Sequence, residues 1–405
     1  SWELLTDCER AVWVQCTVFR GGFTCEAAEA VVDVSAHADS PWVVDVLEEL
    51  LEKSLLVIEE DDHEPRFRQL LSVREYGQEH LGALSSEDRT GLHQRHANHY
   101  ARLGAETELE ALHRRGGVGL RQQRLRELDN LLQACQWAVE NQAGPVAARA
   151  TLAAMDLIEL RGPLALAETL VDGALGLREL PVPLAARLQL GRARAHRLAG
   201  RLDEAMSDVE RAVELGEQSG LRRLRGRALG LRGRIHQRAG RMDEAASSFR
   251  GALEIHRMEG DRRAEAERLG QRGMLHLYRE ELDHAQADLE ESLSIHRAQG
   301  NRVGEGSILG NLAILHNARG DLERARQLSE EALELAREVG NRRVEAVLMN
   351  NLGLLLSEQG GGTRAEALFG ASIDLAEAIG DTLQQGLAMG NLANHHSAQG
   401  QPESA

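Results

Sequence analysis

The chain has 405 residues, a formal net charge of −17 and only 3% aromatic residues, and Lys53 is its single lysine. Such an acidic balance argues against the basic stripe of a nucleic-acid-binding chain, and the lack of any Gly-Lys pair excludes a P-loop nucleotide site. No apolar run approaches the ~20 residues of a membrane helix, no signal peptide is recognisable, and Cys8, Cys16, Cys25 and Cys135 show no CxxC spacing, so a cytoplasmic chain with buried free thiols is expected.

Residues 1–83 read as three helices and a hairpin. Thr6-Asp7-Cys8-Glu9 is a capping box. It opens a helix burying Val12, Trp13, Cys16 and Phe19, which Gly21-Gly22 ends. Thr24 caps a second helix, and Pro41 starts a third with Val43, Val46, Leu47, Leu50 and Leu51 on one side. Leu55–Ile58, a polar turn at Asp61–Glu64, and Phe67–Leu71 then form the hairpin. This is the order of a winged-helix domain. A DNA-reading third helix would enter the major groove, yet this one carries Asp45, Glu48, Glu49 and Glu52 against Lys53. The whole segment holds 6 Lys/Arg against 18 Asp/Glu. Phosphate contacts need positive groups, so a rigid adaptor packing on a neighbouring domain is the better expectation.

Residues 84–180 read as a helical connector with degenerate repeats. Leu125, Leu128, Leu131, Leu132 and Trp137 make one apolar stripe, and Arg114-Arg115-Gly116-Gly117 is the expected flexible break. His93, His96 and His99 sit three apart but lack the glutamate of an HExxH site, so they are expected to be solvated or interfacial. No nucleophile motif is present, and no catalytic residue, metal site or cofactor is expected.

From residue 181 a 40-residue period takes over. Ala205, Ala245, Ala285, Ala325 and Ala365 keep the beat, and Ala405 ends the chain on it. Gly200, Gly240, Gly320, Gly360 and Gly400 mark one turn, with Glu280 the exception, and Gly220, Gly260, Gly300, Gly340 and Gly380 mark the other. Asp261, Asn301, Asn341 and Asp381 then cap the next helix. Small residues at Gly233, Gly273, Ala313, Gly353 and Ala393 let paired helices approach, and Val209, Phe249, Leu289 and Phe369 supply bulk. The expected fold is mainly α: a winged-helix domain followed by an α-solenoid of helical hairpins over 181–405, the last unit incomplete.

This pattern resembles the tetratricopeptide repeat in its 40-residue, kinesin-light-chain-like form. The resemblance implies a concave face made by the first helices that binds a peptide or protein. Asn311, Asn351 and Asn391, with Asn350 beside them, fall where such repeats grip a peptide backbone, and an amide both donates and accepts. The alternative is a helix–helix hydrogen bond or simple solvation. Gln271, Arg234 and Arg238 give the earlier groove a different, basic character. His196, His236, His276, His316 and His396 recur where a tyrosine is usual and are expected to be half-buried packing residues.

The stretches VFRGGFTCEAAEAVV, VLEELLEKSLLVIEE, RFRQLLSVREYGQEHL and ELDNLLQACQWAVEN resemble bacterial STAND-type regulators, the AfsR- and LuxR-like predicted ATPases. That resemblance implies a sensor and protein-interaction arm, with no enzymatic activity of its own, serving an upstream nucleotide-binding domain. No initiator methionine is present and the last unit stops part-way, so an internal fragment of a larger protein is expected. A stand-alone peptide-binding scaffold and a DNA-binding winged-helix regulator are the alternatives; neither nucleic acid nor membrane is an expected partner.

Overall fold

The computed structural model describes residues 2–37, 42–59 and 65–399. It is mostly helical and divides by its contacts into two compact units. One comprises Ser1–Glu108, Gln123–Ala154 and Gly176–Leu180; the other comprises Leu109–Gln122, Met155–Leu175 and Pro181–Ala405.

In the first unit, Thr6 caps α1 (Asp7–Cys16) by the expected box: Glu9 N donates to Thr6 Oγ1 at 3.2 Å and Thr6 N to Glu9 Oε2 at 2.7 Å. Thr24 caps α2 (Cys25–Val31). Helix α3 (Val43–Glu52) follows Trp42 and turns Val43, Val46, Leu47 and Leu50 inward; Pro41 lies outside the described residues. Strands β1 (Val57–Glu59) and β2 (Arg66–Arg68) pair antiparallel, Val57 opposite Arg68, and the Asp61–Glu64 turn lies outside the described residues. The second strand is shorter than its sequence suggests. It stops at Arg68 because Gln69 ties its side chain to the Trp13 carbonyl at 3.0 Å and Leu70 becomes the N-cap of α4 (Leu71–Ala83).

Helices α5 (Ser86–Ala101), α6 (Glu106–Ala111), α7 (Gly117–Leu125), α8 (Leu128–Glu140) and α9 (Gly144–Arg161) follow, the unit boundaries falling inside α6, α7 and α9. Asn130 of α8 is fully buried and ties down the turn after α1, accepting from Arg20 N at 2.7 Å and donating to Gly22 O at 3.0 Å. His96 is also buried rather than solvated, 3.4 Å from Asn130 Oδ1, while His93 and His99 are half-buried. All four cysteines are free thiols; Cys16 and Cys135 are buried, Cys8 and Cys25 half-buried.

In the second unit, α10 (Leu164–Leu175) leads into paired helices: α11 (Val182–Leu198) with α12 (Leu202–Gln218), α13 (Arg222–Arg238) with α14 (Met242–Met258), α15 (Arg262–Tyr278) with α16 (Leu282–Gln299), α17 (Arg302–Ala318) with α18 (Leu322–Glu338), and α19 (Arg342–Glu358) with α20 (Gly362–Ala378). A further first helix, α21 (Thr382–Ala398), follows, and Gly400 and Ala405 lie outside the described residues. This is a solenoid of tetratricopeptide-like hairpins.

The described beat alanines, Ala205, Ala245, Ala285, Ala325 and Ala365, are fully buried. The expected caps form at Asp261, Asn301, Asn341 and Asp381, and Asp321 adds one at α18. Every described turn glycine on the beat has a positive φ, which a glycine adopts without a Cβ penalty. Glycines at the helix crossings leave room for bulk: a Cβ on Gly273 would stand 2.8 Å from Leu289, and one on Gly353 2.8 Å from the Phe369 ring. Among the described residues no helix is long and apolar enough to cross a membrane.

Candidate functional site

Successive first helices (α11, α13, α15, α17, α19, α21) pack on one another, whereas the second helices make no comparable mutual contact. The first helices therefore form the short inner arc of the solenoid, and their unpaired side chains line its inner face.

How closely they pack is set by a repeated fit. Ile308 of α17 lies where a Cβ of Gly270 would stand, 2.4 Å away, and Leu348 of α19 does the same to Gly310 at 2.7 Å. Arg268 of α15 takes this aliphatic place over Gly230, its guanidinium 1.5 Å from the added Cβ. One repeat further on, the equivalent positions are held by the small, fully buried Ala388 and, in place of the glycine, by Asn350. Asn350 is buried, and its Oδ1 accepts from Asn391 Nδ2 at 3.0 Å. Two of the predicted groove amides thus hold α19 to α21.

Asn311 and Asn351 behave differently. Both are half-buried, and neither side chain has a hydrogen-bond partner among the described residues. Three residues further along the same faces stand Ile314 and Leu354, 36% and 38% exposed. Gln271, in the same register on α15, is half-buried with its Oε1 unpartnered. This half of the inner face offers free amides beside apolar side chains.

The earlier half is charged. Arg234 is half-buried and Arg238 exposed, and neither forms an ion pair among the described residues. Arg268 Nη2 pairs with Glu267 at 2.9 Å, and Arg263 Nη1 reaches the other Glu267 oxygen at 2.8 Å. Against the cost of burial, the charges of Arg263 and Arg268 hold the Glu267 carboxyl far below its usual range. The 109–122 segment lies against this half: Glu110 is 3.7 Å from Arg227, and Arg115 Cα would be 3.0 Å from a Gly300 Cβ. The expected break at Arg114–Gly117 is therefore a packed turn between α6 and α7. His113 sits 3.8 Å from Asp156, and burial lowers its pKa to about 3.

The histidine series packs as expected. His196, His236, His276 and His316 are half-buried and His396 is buried. Asp208 and Asp288 supply a device the sequence reading missed, clamping Arg192 and Arg272 across their own hairpins at 2.6 Å. A 16-residue Arg–Asp spacing repeated after 80 residues was its only signal. One possible metal-holding group also went unnoticed: ligand atoms of His276, Glu281 and His284 lie within 4.8 Å of one another at the α15–α16 turn. His276 is half-buried and its two neighbours are exposed.

Residues 184–258, 224–298, 262–338 and 304–361 match a tetratricopeptide-repeat family model, and residues 346–379 match a second. Curated relatives from Mycobacterium bovis and Mycobacterium tuberculosis, named as HTH-type transcriptional regulators, are 33% identical over 141 residues. That match covers 35% of this chain and only 15% of each relative. Among solved structures, the STAND protein PH0952 from Pyrococcus horikoshii, which has a tetratricopeptide-repeat sensor, is similar over 98% of this chain and 61% of its own. The identity is 18% and the TM-score 0.50. Apo RapI is similar over 64% of this chain and 96% of its own, at 14% identity and a TM-score of 0.50. At these identities the structural likenesses establish the solenoid fold.

Proposed function

We propose that this chain is the non-catalytic sensor and protein-interaction arm of a STAND-type signalling ATPase in the cytoplasm. In this reading the inner face of the array over 181–405 takes a peptide or protein segment. A winged-helix domain over 1–83 and the connector over 84–180 couple that event to a nucleotide-binding domain of the same parent protein. Such coupling needs a ligand that prefers one conformation of the whole.

The observation that carries the binding half is the pair Asn311 and Asn351. They are free amides one repeat apart, each beside an exposed aliphatic residue, Ile314 or Leu354. Amides can serve peptide units and the aliphatic residues can serve peptide side chains. The adaptor half is supported by α3, whose Asp45, Glu48, Glu49 and Glu52 are all exposed. An acidic surface suits a protein neighbour better than a phosphate backbone, which weighs against DNA binding despite the name of the mycobacterial relatives.

Selection of a random-peptide display library on the chain tests the groove. Peptides should be enriched, and the Asn311→Ala/Asn351→Ala double variant should bind them at least about tenfold more weakly with unchanged unfolding. No enrichment, or equal binding by the variant, defeats the reading. A gel shift of duplex DNA at low ionic strength tests the adaptor role, and retardation would count against it.

A further inference from the structure

Arg197 lies in the last turn of α11 and is only 8% exposed. Its Nε has no hydrogen-bond partner, and the side chain forms no ion pair among the described residues. A buried charge without a counter-charge is strongly unfavourable, so its surroundings need an explanation. The strongest charges it feels are those of Arg234, Arg238 and Arg343 on one side and Glu159 on the other. Glu159 is already engaged: its carboxylate pairs with Arg194 Nε at 2.9 Å and its carbonyl accepts from Arg343. The other acids here are engaged too: Asp381 pairs with Arg343 Nε at 3.0 Å, and Glu267, whose charge also reaches Arg234, pairs with Arg263 and Arg268. Among the described residues three guanidiniums, those of Arg197, Arg234 and Arg238, are left without an ion pair of their own, in a chain whose net charge is −17.

We propose that Arg197, Arg234 and Arg238, at the C-terminal ends of α11 and α13, form an anion site that takes a phosphate-class group of the ligand. This rests on the inner face being the ligand face and adds the ligand's chemistry. Guanidiniums are planar forks with several donors. Arriving from two helices, they suit a tetrahedral group with three terminal oxygens, which accepts from several forks at once. A single carboxylate would satisfy one fork and leave the others unpaired. The electrostatic directions fit a shortage of counter-charge. Burial, then the charges of Arg234 and Arg238, lower the Arg197 pKa well below its ordinary value. Burial, then Arg268, lower Arg234 to about 10.

The test titrates the full chain with inorganic pyrophosphate and, separately, with a tetraglutamate peptide at fixed ionic strength, reading heat of binding and thermal unfolding. Pyrophosphate should bind and raise Tm. Arg197→Met should weaken that binding about tenfold or more and should unfold at a higher temperature than the parent when no anion is present, because an unpaired buried charge has gone. Arg234→Gln, at a half-buried position, should weaken it comparably and serves if the first variant folds poorly. The Asn311→Ala/Asn351→Ala variant should bind pyrophosphate normally, so failure of the peptide groove and failure of the anion site are separable. No response to pyrophosphate up to ~10 mM, a response undiminished in both arginine variants, or tighter binding of tetraglutamate than of pyrophosphate would each overturn the proposal.

Discussion

A Cβ added to Gly233 of α13 would stand 2.5 Å from the ring of Phe249 on α14. Phe249 is fully buried, so the ring has no open side to move to. Gly233→Ala gains about 1 kcal/mol of helix propensity and meets an overpacking cost of roughly 1–3 kcal/mol. A net loss of about 1 kcal/mol is expected in urea unfolding. Phe249→Leu should be less costly in the Gly233→Ala background than in the parent, a coupling that a double-mutant cycle measures. Strict additivity would show that the two residues do not share the crossing.

Glu280 occupies the left-handed region, φ +60°, at a turn where Gly200, Gly240, Gly320 and Gly360 have φ between +76° and +81°. A side chain there is penalised by its own Cβ. Glu280→Gly should stabilise the repeat unit by about 0.5–1 kcal/mol after the unfolded-state entropy of glycine is subtracted. Gly240→Glu should do the reverse. A destabilised Glu280→Gly variant would mean that the side chain makes a contribution outweighing its strain.

The repeat architecture was legible because it is local and periodic. A cap, a left-handed glycine and a small residue each act within one hairpin, and recurrence after 40 residues multiplies the signal. Even the size match can be read off. Where the small position is Gly233 or Gly353 the residue 16 further on is Phe249 or Phe369, and where it is Ala313 it is Ser329. The charged half of the inner face was only partly legible. Arg234 and Arg238 stand out as basic, but their shortage of counter-charge depends on Arg197, Glu159 and Arg343, brought together across as many as 184 residues. No spacing rule reports that. The pairing of Asn350 was hidden for the same reason: its partner Asn391 is 41 residues away, and only the fold brings them together.

His96 makes the first unit sensitive to acid. Burial lowers its pKa to about 3, from about 6.5 in the unfolded chain. The unfolded state therefore takes up the proton first. The contribution to stability is intact above about pH 6.5 and falls away as pH drops toward 3. Near pH 5 the loss should be about 2 kcal/mol. Urea midpoints at neutral pH and near pH 5 measure it, and His96→Gln should flatten that part of the slope. An unchanged slope in the variant would assign the acid sensitivity to other groups. His113 and His256, lowered by burial to about 3 and about 4, act in the same direction on the repeat unit.

The asparagines of the inner face should separate into two classes. Asn350 is buried and accepts from Asn391, so Asn350→Ala leaves the Asn391 amide without its partner and should cost about 1 kcal/mol or more. Asn311 and Asn351 have no partner to lose among the described residues, and their replacement by alanine should change stability by less than about 0.5 kcal/mol each. Ligand binding should show the opposite ranking, weakened by loss of the unpaired amides and less affected by Asn350→Ala in the folded protein. This crossing of effects is the sharpest consequence of the geometry. An amide kept for packing lowers the unfolding midpoint when removed, whereas an amide kept for a ligand lowers affinity. If Asn311→Ala and Asn351→Ala prove as destabilising as Asn350→Ala, all the amides belong to the packing of the first helices, and the groove must be sought among the exposed aliphatic residues instead.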